Sequence, residues 1–236
     1  MFTRKFSAPV AELGYAYWLS IINYMRRLSK VKIEWNLNFA YAIGLIATDG
    51  CLSNDSRHID FTSKDKEIVI KFKKCLGIKN KIGIKFRGND GYRKNKYFRI
   101  QFGDRNFYNF LLSIGLSPKK SKIISSLKIP DKFFIDFLRG CIDGDGTIGS
   151  FRHPESIYPQ LRVRLFSASY DFLYWIKNQI AIVLKIKNGW IEKKKSGEYR
   201  LVYAKSDSIK LLNFLYRRSN CYLVRKYVLA KPFLRV

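Results

Sequence analysis

The stretch Phe39–Ser53 reads FAYAIGLIATDGCLS, and a related stretch, FLRGCIDGDGTIGS, occupies Phe137–Ser150. Both begin with an apolar run that predicts a helix, and both reach an aspartate followed at once by glycine, at Asp49 and at Asp145. Acids are unfavourable at the C-terminal end of a helix, because that end carries partial negative charge. The repeat therefore predicts two helices, each ending in a carboxylate that needs a compensating partner.

The sequence after each copy repeats as well. An alternating strand comes first, with Ile59 and Phe61 on its apolar side in one half and Leu161 and Val163 in the other. An amphipathic helix, a hairpin and a closing helix then follow in both halves. The sequence therefore predicts an α+β fold made of two pseudo-symmetric αββαββα halves with antiparallel sheets.

The repeat also divides the chain. The N-terminal half is predicted over residues 36–130 and the C-terminal half over residues 131–236. Residues 1–35 form an extension outside the repeat, with a helix predicted around Val10–Leu28.

Small residues indicate how the two acids meet. Gly44 and Thr48 lie one helical turn apart, as do Gly140 and Gly144. This spacing lets two helix backbones approach closely, and interior glycine costs about 0.5–1 kcal/mol, so it calls for such a reason. If the helices pair, their last aspartates lie side by side, which is stable when one is protonated or a cation is bound. Hard oxygen ligands near phosphates favour Mg²⁺.

The second copy contains another acid, Asp143. An EF-hand loop starting there is excluded, because Ile148 and Pro154 stand where that loop requires Gly and Glu. The first copy has Ala47 at the equivalent place, so Asp143 is interpreted as a structural or capping residue rather than a ligand.

The charge of the chain indicates a polyanionic partner. Its 236 residues include 45 Lys plus Arg against 18 Asp plus Glu, a formal net charge of +27. Such an excess is self-repulsive in a compact fold, and nucleic acid is the first candidate to neutralise it. A membrane surface is disfavoured, because the basic residues are spread along the chain instead of lying on one amphipathic helix.

The cysteines bear on the compartment. Cys51, Cys75, Cys141 and Cys221 show no zinc-site or disulfide-framework spacing, which favours a reducing, intracellular compartment that contains the target DNA. No run is long enough for a membrane span, and no secretion signal is recognised.

Polar residues on the predicted strands are candidates for reading DNA. Antiparallel strands fit the major groove, where Arg recognises guanine and Gln recognises adenine. Plain solvation of an outer sheet face is the alternative. The candidates for reading bases are His58, Asp60, Thr62, Arg87, Tyr97, Arg99, Gln101, Gln160, Arg162, Arg164 and Arg200. Lys85, Arg152 and Lys193 are further candidates for binding DNA, and Lys193, in a basic run near a turn, is predicted to contact DNA independently of its sequence.

The repeated motif resembles that of the LAGLIDADG homing endonucleases. AIGLIATDG at Ala42–Gly50 and LRGCIDGDG at Leu138–Gly146 both match its Gly at the third place, apolar residues at the fourth and fifth, and terminal Asp-Gly. The departures, such as Ala47 in place of the usual acid, leave the terminal aspartates intact. Two motifs with the same following pattern extend the resemblance over about residues 36–232.

The resemblance implies a monomer with saddle-shaped sheets over double-stranded DNA and the paired motif helices at the interface. Asp49 and Asp145 would bind Mg²⁺ and hydrolyse both strands across the minor groove, leaving 3′ overhangs, whereas Ca²⁺ would support binding alone. The carbonyls of Thr48 and Gly144 would be secondary ligands.

The resemblance also implies one peripheral catalytic lysine in each half, by position Lys120 and Lys226. Ordinary solvated charges are the alternative in such Lys-rich surroundings. The second helix of each half is predicted to begin near Ser63 or Asp65 and near Ser167 or Ser169. Ser63 and Ser167, where relatives often carry a polar residue, are interpreted as helix caps.

An alternative function is an RNA-splicing maturase or DNA regulator that keeps the fold without cleaving. The presence of both motif aspartates favours the nuclease. The chain lacks the terminal residues typical of a self-splicing intein, which favours a free-standing or intron-encoded enzyme.

Overall fold

The computed structural model describes residue 17 and residues 29–87, 95–152, 154–155, 157–217, 219 and 221–234. The first half contains α1 (Leu37–Asp49), β1 (Gly50–Leu52), β2 (His58–Ser63), α2 (Lys66–Cys75), β3 (Gly83–Arg87), β4 (Asn95–Gly103) and α3 (Arg105–Ser113). The second half contains α4 (Phe134–Asp145), β5 (Gly146–Phe151), β6 (Gln160–Ser167), α5 (Tyr170–Val183), β7 (Trp190–Lys193), β8 (Tyr199–Tyr203), α6 (Lys205–Tyr216) and α7 (Val224–Ala230). Short 3-10 turns occupy Lys120–Lys122, Asp131–Phe133 and Lys231–Phe233.

The predicted αββαββα order is confirmed in both halves, and the second half adds α7. The helix predicted around Val10–Leu28 lies outside the described residues, apart from Tyr17. Among the described helices, none combines the length and the apolar character needed to cross a membrane.

Each half contains one four-stranded antiparallel sheet. The strand orders are β1-β2-β4-β3 and β5-β6-β8-β7, so the two sheets have the same topology. Ile59 and Phe61 of β2 are buried, as are Leu161 and Val163 of β6, while the residues between them are half-buried. The alternation predicted from the sequence is therefore present, with one apolar and one polar face on each sheet. The edge strand β3 differs, because its apolar residues stay exposed.

Two serines contribute to the starts of the helices without capping them directly. Asp65 is the N-cap of α2 and Ser169 is the N-cap of α5, accepting hydrogen bonds from the backbone N–H of Glu67 and of Phe172. Ser63 and Ser167 each accept the N–H of the capping residue, at 3.2 and 3.1 Å. The interpretation of these two serines as N-caps is therefore wrong by two residues.

The two halves meet through α1 and α4, the helices that carry the motifs. Gly44 and Gly140 lie at the closest point of the crossing. A Cβ atom added at Gly44 would lie 2.1 Å from the carbonyl oxygen of Phe137, and one added at Gly140 would lie 2.2 Å from that of Tyr41. These atoms belong to the opposite helix backbone and cannot move aside cheaply, so only glycine fits at either place.

Polar side chains also join the halves inside the core. The hydroxyl of Tyr41 in α1 donates to Oδ2 of Asp143 in α4 at 2.8 Å. Arg139, fully buried in α4, donates to the carbonyls of Leu215 and Cys221 at 2.9 and 2.8 Å and pairs with Asp136. Because a buried charge without partners is costly, the contacts of Arg139 fix α4 against the last turn of α6 and the segment that follows it, within the second half.

The close crossing of α1 and α4 predicts that a side chain at Gly140 destabilises the protein. Gly140→Ala should lower the free energy of unfolding by at least about 3 kcal/mol, because two backbones must separate to admit the methyl group. Urea denaturation measures this. Gly83→Ala is the control, since its Cβ would meet only the carbonyl oxygen of Arg99 at 3.9 Å. A Gly140→Ala protein as stable as the Gly83→Ala control would show that the helices do not cross at this glycine.

Candidate metal centre and nucleic-acid interface

The two motif aspartates are the last residues of α1 and α4. Each helix ends in the same way, because the N–H of Gly50 donates to the carbonyl of Ile46 and the N–H of Gly146 donates to that of Ile142. The chain then turns back along the last helical turn. A Cβ at either glycine would lie within 2.7 Å of that turn, so the terminal glycine of each motif allows the strand to leave directly beside its aspartate.

Packing across the interface brings the carboxylates to one place. A Cβ added at Gly144 would lie 2.9 Å from Oδ2 of Asp49 and 2.1 Å from Oγ1 of Thr48, so the last turn of α4 touches the carboxylate of α1. Asp49 is half-buried and Asp145 reaches solvent. The two acids thus lie beside each other at the end of the helix pair, as the sequence predicted from the small residues.

The electrostatics of the pair disfavour two bare negative charges. Burial, together with the charge of Asp145, raises the pKa of Asp49 to about 7, while the charges of Lys226 and Lys120 oppose the rise. Burial also raises the pKa of Asp145, again against the two lysines. The negative ends of two helix dipoles act in the same direction. A proton or a cation therefore stabilises this site.

The two lysines are buried beside the aspartates. Lys120 and Lys226 expose only 5% and 3% of their surfaces, so the reading of both as solvated charges is wrong. Lys120 donates to the carbonyl of Gly50, and Lys226 donates to the carbonyl of Gly146 at 2.7 Å. The interactions are pseudo-symmetric, since each lysine binds the terminal glycine of the motif in its own half. Burial lowers the pKa of Lys226 to about 8 and also lowers that of Lys120.

Asp143 lies inside the interface and not in the carboxylate pair. Its Oδ2 accepts hydrogen bonds from the Tyr41 hydroxyl at 2.8 Å and from the N–H of Leu223 at 2.7 Å. Leu223 directly precedes α7, which carries Lys226. Asp143 therefore holds the start of α7 against α4, a structural role of the kind predicted from the sequence.

The oxygen donors near the pair match a hard divalent cation. Among the described residues, no cluster of three or more His, Cys, Asp or Glu side chains is present. Asp49 and Asp145 are the two acidic side chains that this place offers to a cation. Thr48 and Gly144 lie in the last helical turns, where backbone carbonyls have no intrahelical donor. Two carboxylates with few other protein ligands are typical of Mg²⁺, which retains waters and binds phosphate oxygens.

The polar face of the first sheet contains most of the predicted reading residues. Strand pairing sets Asp60 opposite Gln101 and Thr62 opposite Arg99, and opposite residues of antiparallel strands share a face. Pairing of β3 with β4 adds Lys85 opposite Tyr97. The residues of this face are His58, Asp60, Thr62, Lys85, Arg87, Tyr97, Arg99 and Gln101.

Side chains on this first face pair with each other in the absence of a ligand. Asp60 pairs with Arg99 and accepts a hydrogen bond from the Thr62 hydroxyl at 2.7 Å. A nucleic acid that binds this face would either contact these side chains as they are paired or break their hydrogen bonds to each other.

The second sheet presents a group of arginines on its polar face. Thr147 lies opposite Arg164, Gly149 opposite Arg162, and Phe151 opposite Gln160. The pKa of Arg164 is lowered by burial and further by the charges of Arg162 and Arg200. Like charges this close need a counter-charge. Glu192 supplies part of it, by accepting a hydrogen bond from Arg200 at 2.8 Å.

The register separates Lys193 from this group. Lys193 lies opposite Tyr199, one residue out of phase with the pair Glu192–Arg200, so it lies on the other side of the sheet. Arg152 is exposed just beyond β5. Sequence reasoning missed Thr147, Phe166, Trp190 and Glu192, which join the polar face through strand pairing.

Both polar faces adjoin the carboxylates. Cys51 and Thr147 each lie two residues after a motif aspartate, and both are exposed on the polar side, opposite Asp60 and Arg164. The two faces therefore flank the aspartate pair, which lies where the first strands of both sheets begin.

Comparisons with known proteins agree with this architecture. The sequence model for the LAGLIDADG-like domain matches residues 36–115. The structure is similar to that of the homing endonuclease I-WcaI bound to its DNA recognition sequence, with a TM-score of 0.65 at 13% identity, over 92% of this chain and 93% of that one. No curated protein sequence matches the chain.

Two further solved structures share the fold at lower similarity. Mesophilic variants of the homing endonuclease I-DmoI give a TM-score of 0.50 at 16% identity, over 78% of this chain and 97% of that one. Full-length DUF199/WhiA from Thermatoga maritima gives a TM-score of 0.50 at 16% identity, over 88% of this chain and 65% of that one. Residues 36–115 therefore match the LAGLIDADG-like domain, and the chain as a whole has the fold of the LAGLIDADG homing endonucleases.

Proposed function

We propose that this protein is a site-specific DNA endonuclease that cleaves both strands of a long double-stranded target by divalent-metal-dependent hydrolysis. The reaction takes place across the minor groove and leaves 3′ overhangs. The observation that carries the proposal is the pair Asp49 and Asp145, placed side by side at two helix C-termini with their pKa values raised and one buried lysine beside each. A purely structural acid pair has no reason to be kept in so unfavourable a place.

Asp49 and Asp145 would hold the cation, with the carbonyls of Thr48 and Gly144 as further ligands. When bound, Mg²⁺ supplies charge relief at the phosphate and assists ionisation of water. The solved structure of a variant of I-DmoI with its target DNA in the presence of Mg²⁺ has the same fold, with a TM-score of 0.50 at 16% identity, over 78% of this chain and 97% of that one.

Lys120 and Lys226 support the same chemistry from the protein side. Both ammonium groups are buried beside the aspartates, where a positive charge acts through a weaker dielectric than in water. They hold the terminal glycine carbonyls and so fix the strands that leave the site. As a phosphodiester gains negative charge during hydrolysis, these two cations stabilise it.

The polar faces of the sheets provide binding and sequence selection. The formal net charge of +27 supplies affinity for phosphates, which is independent of sequence and weakens with salt. Arg162, Arg164 and Arg200 crowd on one face, and such arginines recognise guanine in the major groove. The I-WcaI and I-GzeII structures, solved with their DNA targets, are similar in fold to this chain. The protein acts as a monomer, because both motif helices belong to one chain.

A non-cleaving RNA-splicing maturase or DNA-binding protein is the second candidate. The likeness to WhiA favours it, since that structure carries a LAGLIDADG domain without being described as an endonuclease, and a fold does not decide a function. The two candidates differ in one result. A binding protein would enrich sites from a randomised DNA library without cutting them, whereas the endonuclease releases cut products with Mg²⁺.

The proposed function predicts that both motif aspartates are needed for DNA cleavage. Asp49→Asn and Asp145→Asn should each lower double-strand cleavage by about 10³-fold, because a negative metal ligand is lost while size and helix geometry stay. DNA affinity in Ca²⁺ should stay within about threefold, because the sheets carry binding.

Asp143→Asn is the matched control for both variants. It lies in the same helix, and an amide oxygen can still accept from Tyr41 and Leu223, so cleavage should fall less than about fivefold. Robust double-strand cleavage by Asp145→Asn would contradict the assignment.

The pKa of Asp49 predicts how metal-free stability depends on pH. Its folded value of about 7 lies above the unfolded value near 4, so the folded state binds more protons between these values. Stability contributed by this group is therefore present at low pH and lost as the pH rises from about 4 to 7.

In EDTA, Asp49→Asn should be more stable than the parent protein by about 2 kcal/mol at pH 8 and equal to it near pH 4.5, as urea denaturation would show. A difference that does not change between these two pH values would contradict the raised pKa.

The arginine group predicts where specificity resides. Arg164→Ala should relax selection at one or two base pairs of the target, by about 1–3 kcal/mol for the lost contact. Lys193→Ala, on the other side of the same sheet, should leave relative base preferences unchanged. Selection from a randomised library measures both. A uniform loss of affinity in Arg164→Ala, without relaxed selection, would place this arginine on phosphate instead.

A further inference from the structure

Two cysteines from opposite halves are in contact. Cys75 is the last residue of α2 in the first half, and Cys221 precedes α7 in the second half, 146 residues further along the chain. Their Sγ atoms are 3.1 Å apart, about 1 Å longer than a disulfide bond. Both thiols are free and half-buried, so a small oxidant can reach them.

The backbone on both sides of this contact is held in place. The carbonyl of Cys221 accepts a hydrogen bond from Nε of Arg139 at 2.8 Å. The N–H of Val224 donates to Oε1 of Glu67 at 3.1 Å, and Nε of Arg225 donates to Oδ2 of Asp65 at 3.0 Å. The start of α2 is thus tied to the start of α7. The two sulfur atoms are held near each other by these contacts and need little movement to bond.

The surroundings of Cys221 favour its thiolate. The hydrogen bond with Cys75 lowers the pKa of Cys221, and the charges of Arg139 and Lys71 lower it further against the effect of burial. The thiolate is the form that attacks an oxidant. Cys141 contrasts with this pair, because it is fully buried and burial raises its pKa.

We propose that Cys75 and Cys221 are a thiol-oxidation site that forms a reversible disulfide between the two halves on exposure to a peroxide. The Cys221 thiolate attacks hydrogen peroxide, breaks its O–O bond and becomes a sulfenic acid, while hydroxide leaves and takes up a proton as water. The Cys75 sulfur then attacks the Cys221 sulfur, the S–O bond breaks, and a second water leaves. Two thiols are oxidised by two electrons and one peroxide is reduced to two waters.

The bond would stabilise the closed arrangement of the halves without changing the helix crossing. It closes a loop of almost 150 residues, which restricts the unfolded chain, and it joins atoms that already touch in the folded state. It also tethers the segment that leads into α7 and Lys226 to α2 of the other half. The thiols remain reduced where glutathione is abundant, so the disulfide between Cys75 and Cys221 forms only under oxidising conditions.

The test treats the full-length protein with a small excess of hydrogen peroxide, blocks free thiols with iodoacetamide and maps its peptides by mass spectrometry. The expected product is a monomer with a peptide pair linked through Cys75 and Cys221. Its melting temperature should rise by roughly 10 °C, and dithiothreitol should reverse the shift.

Cys75→Ser and Cys221→Ser should each abolish the linked peptide and the thermal shift, whereas the exposed Cys51→Ser should keep both. If a serine variant does not fold, the peptide map of the parent protein still shows whether Cys75 and Cys221 are linked. Recovery of Cys75 and Cys221 only as unlinked peptides, a link only between two chains, or an unchanged melting temperature would overturn the proposal. None of these results depends on DNA cleavage.

Discussion

The closest contact between α1 and α4 is the constraint on which the rest of the structure depends. Gly44 and Gly140 leave no room for a Cβ, so the two helices cross backbone to backbone. That crossing fixes where the helices end, and each helix ends in its motif aspartate. The same crossing therefore joins the halves and creates a cluster of negative charge that Lys120 and Lys226 offset only in part.

The pseudo-symmetry of the two halves holds at the candidate metal site and is broken at a structural contact. Both halves supply one aspartate, one terminal glycine and one buried lysine that binds the carbonyl of that glycine. The two strands of DNA are related by a similar approximate twofold, so one centre of this kind could serve both. The halves differ at Asp143, where the first copy has Ala47. In the second half the buried carboxylate of Asp143 holds the segment before α7.

Local sequence patterns predicted those features that depend on neighbouring residues in the chain, such as the faces of a strand. The alternation of Ile59 and Phe61 predicted a two-sided strand, and the repeated small residues predicted that the helices pair. Features that depend on tertiary approach were missed or misplaced. Local sequence does not distinguish Lys120 from its lysine neighbours. The family resemblance indicated the position, and only the structure shows that its side chain is buried. Tertiary pairing sets the register that places Lys193 on the side of the sheet opposite Arg200, and the contact of Cys75 with Cys221 spans 146 residues.

The most direct test of the central claim is to locate the cation. Crystals of the protein with a DNA target selected from a randomised library, grown with Mn²⁺ in place of Mg²⁺, would place the ion by anomalous scattering. The account predicts an anomalous peak about 2.1 Å from carboxylate oxygens of both Asp49 and Asp145, next to a phosphate of the DNA. A peak bound elsewhere, or a DNA complex with Mn²⁺ in which these two carboxylates hold no ion, would contradict it.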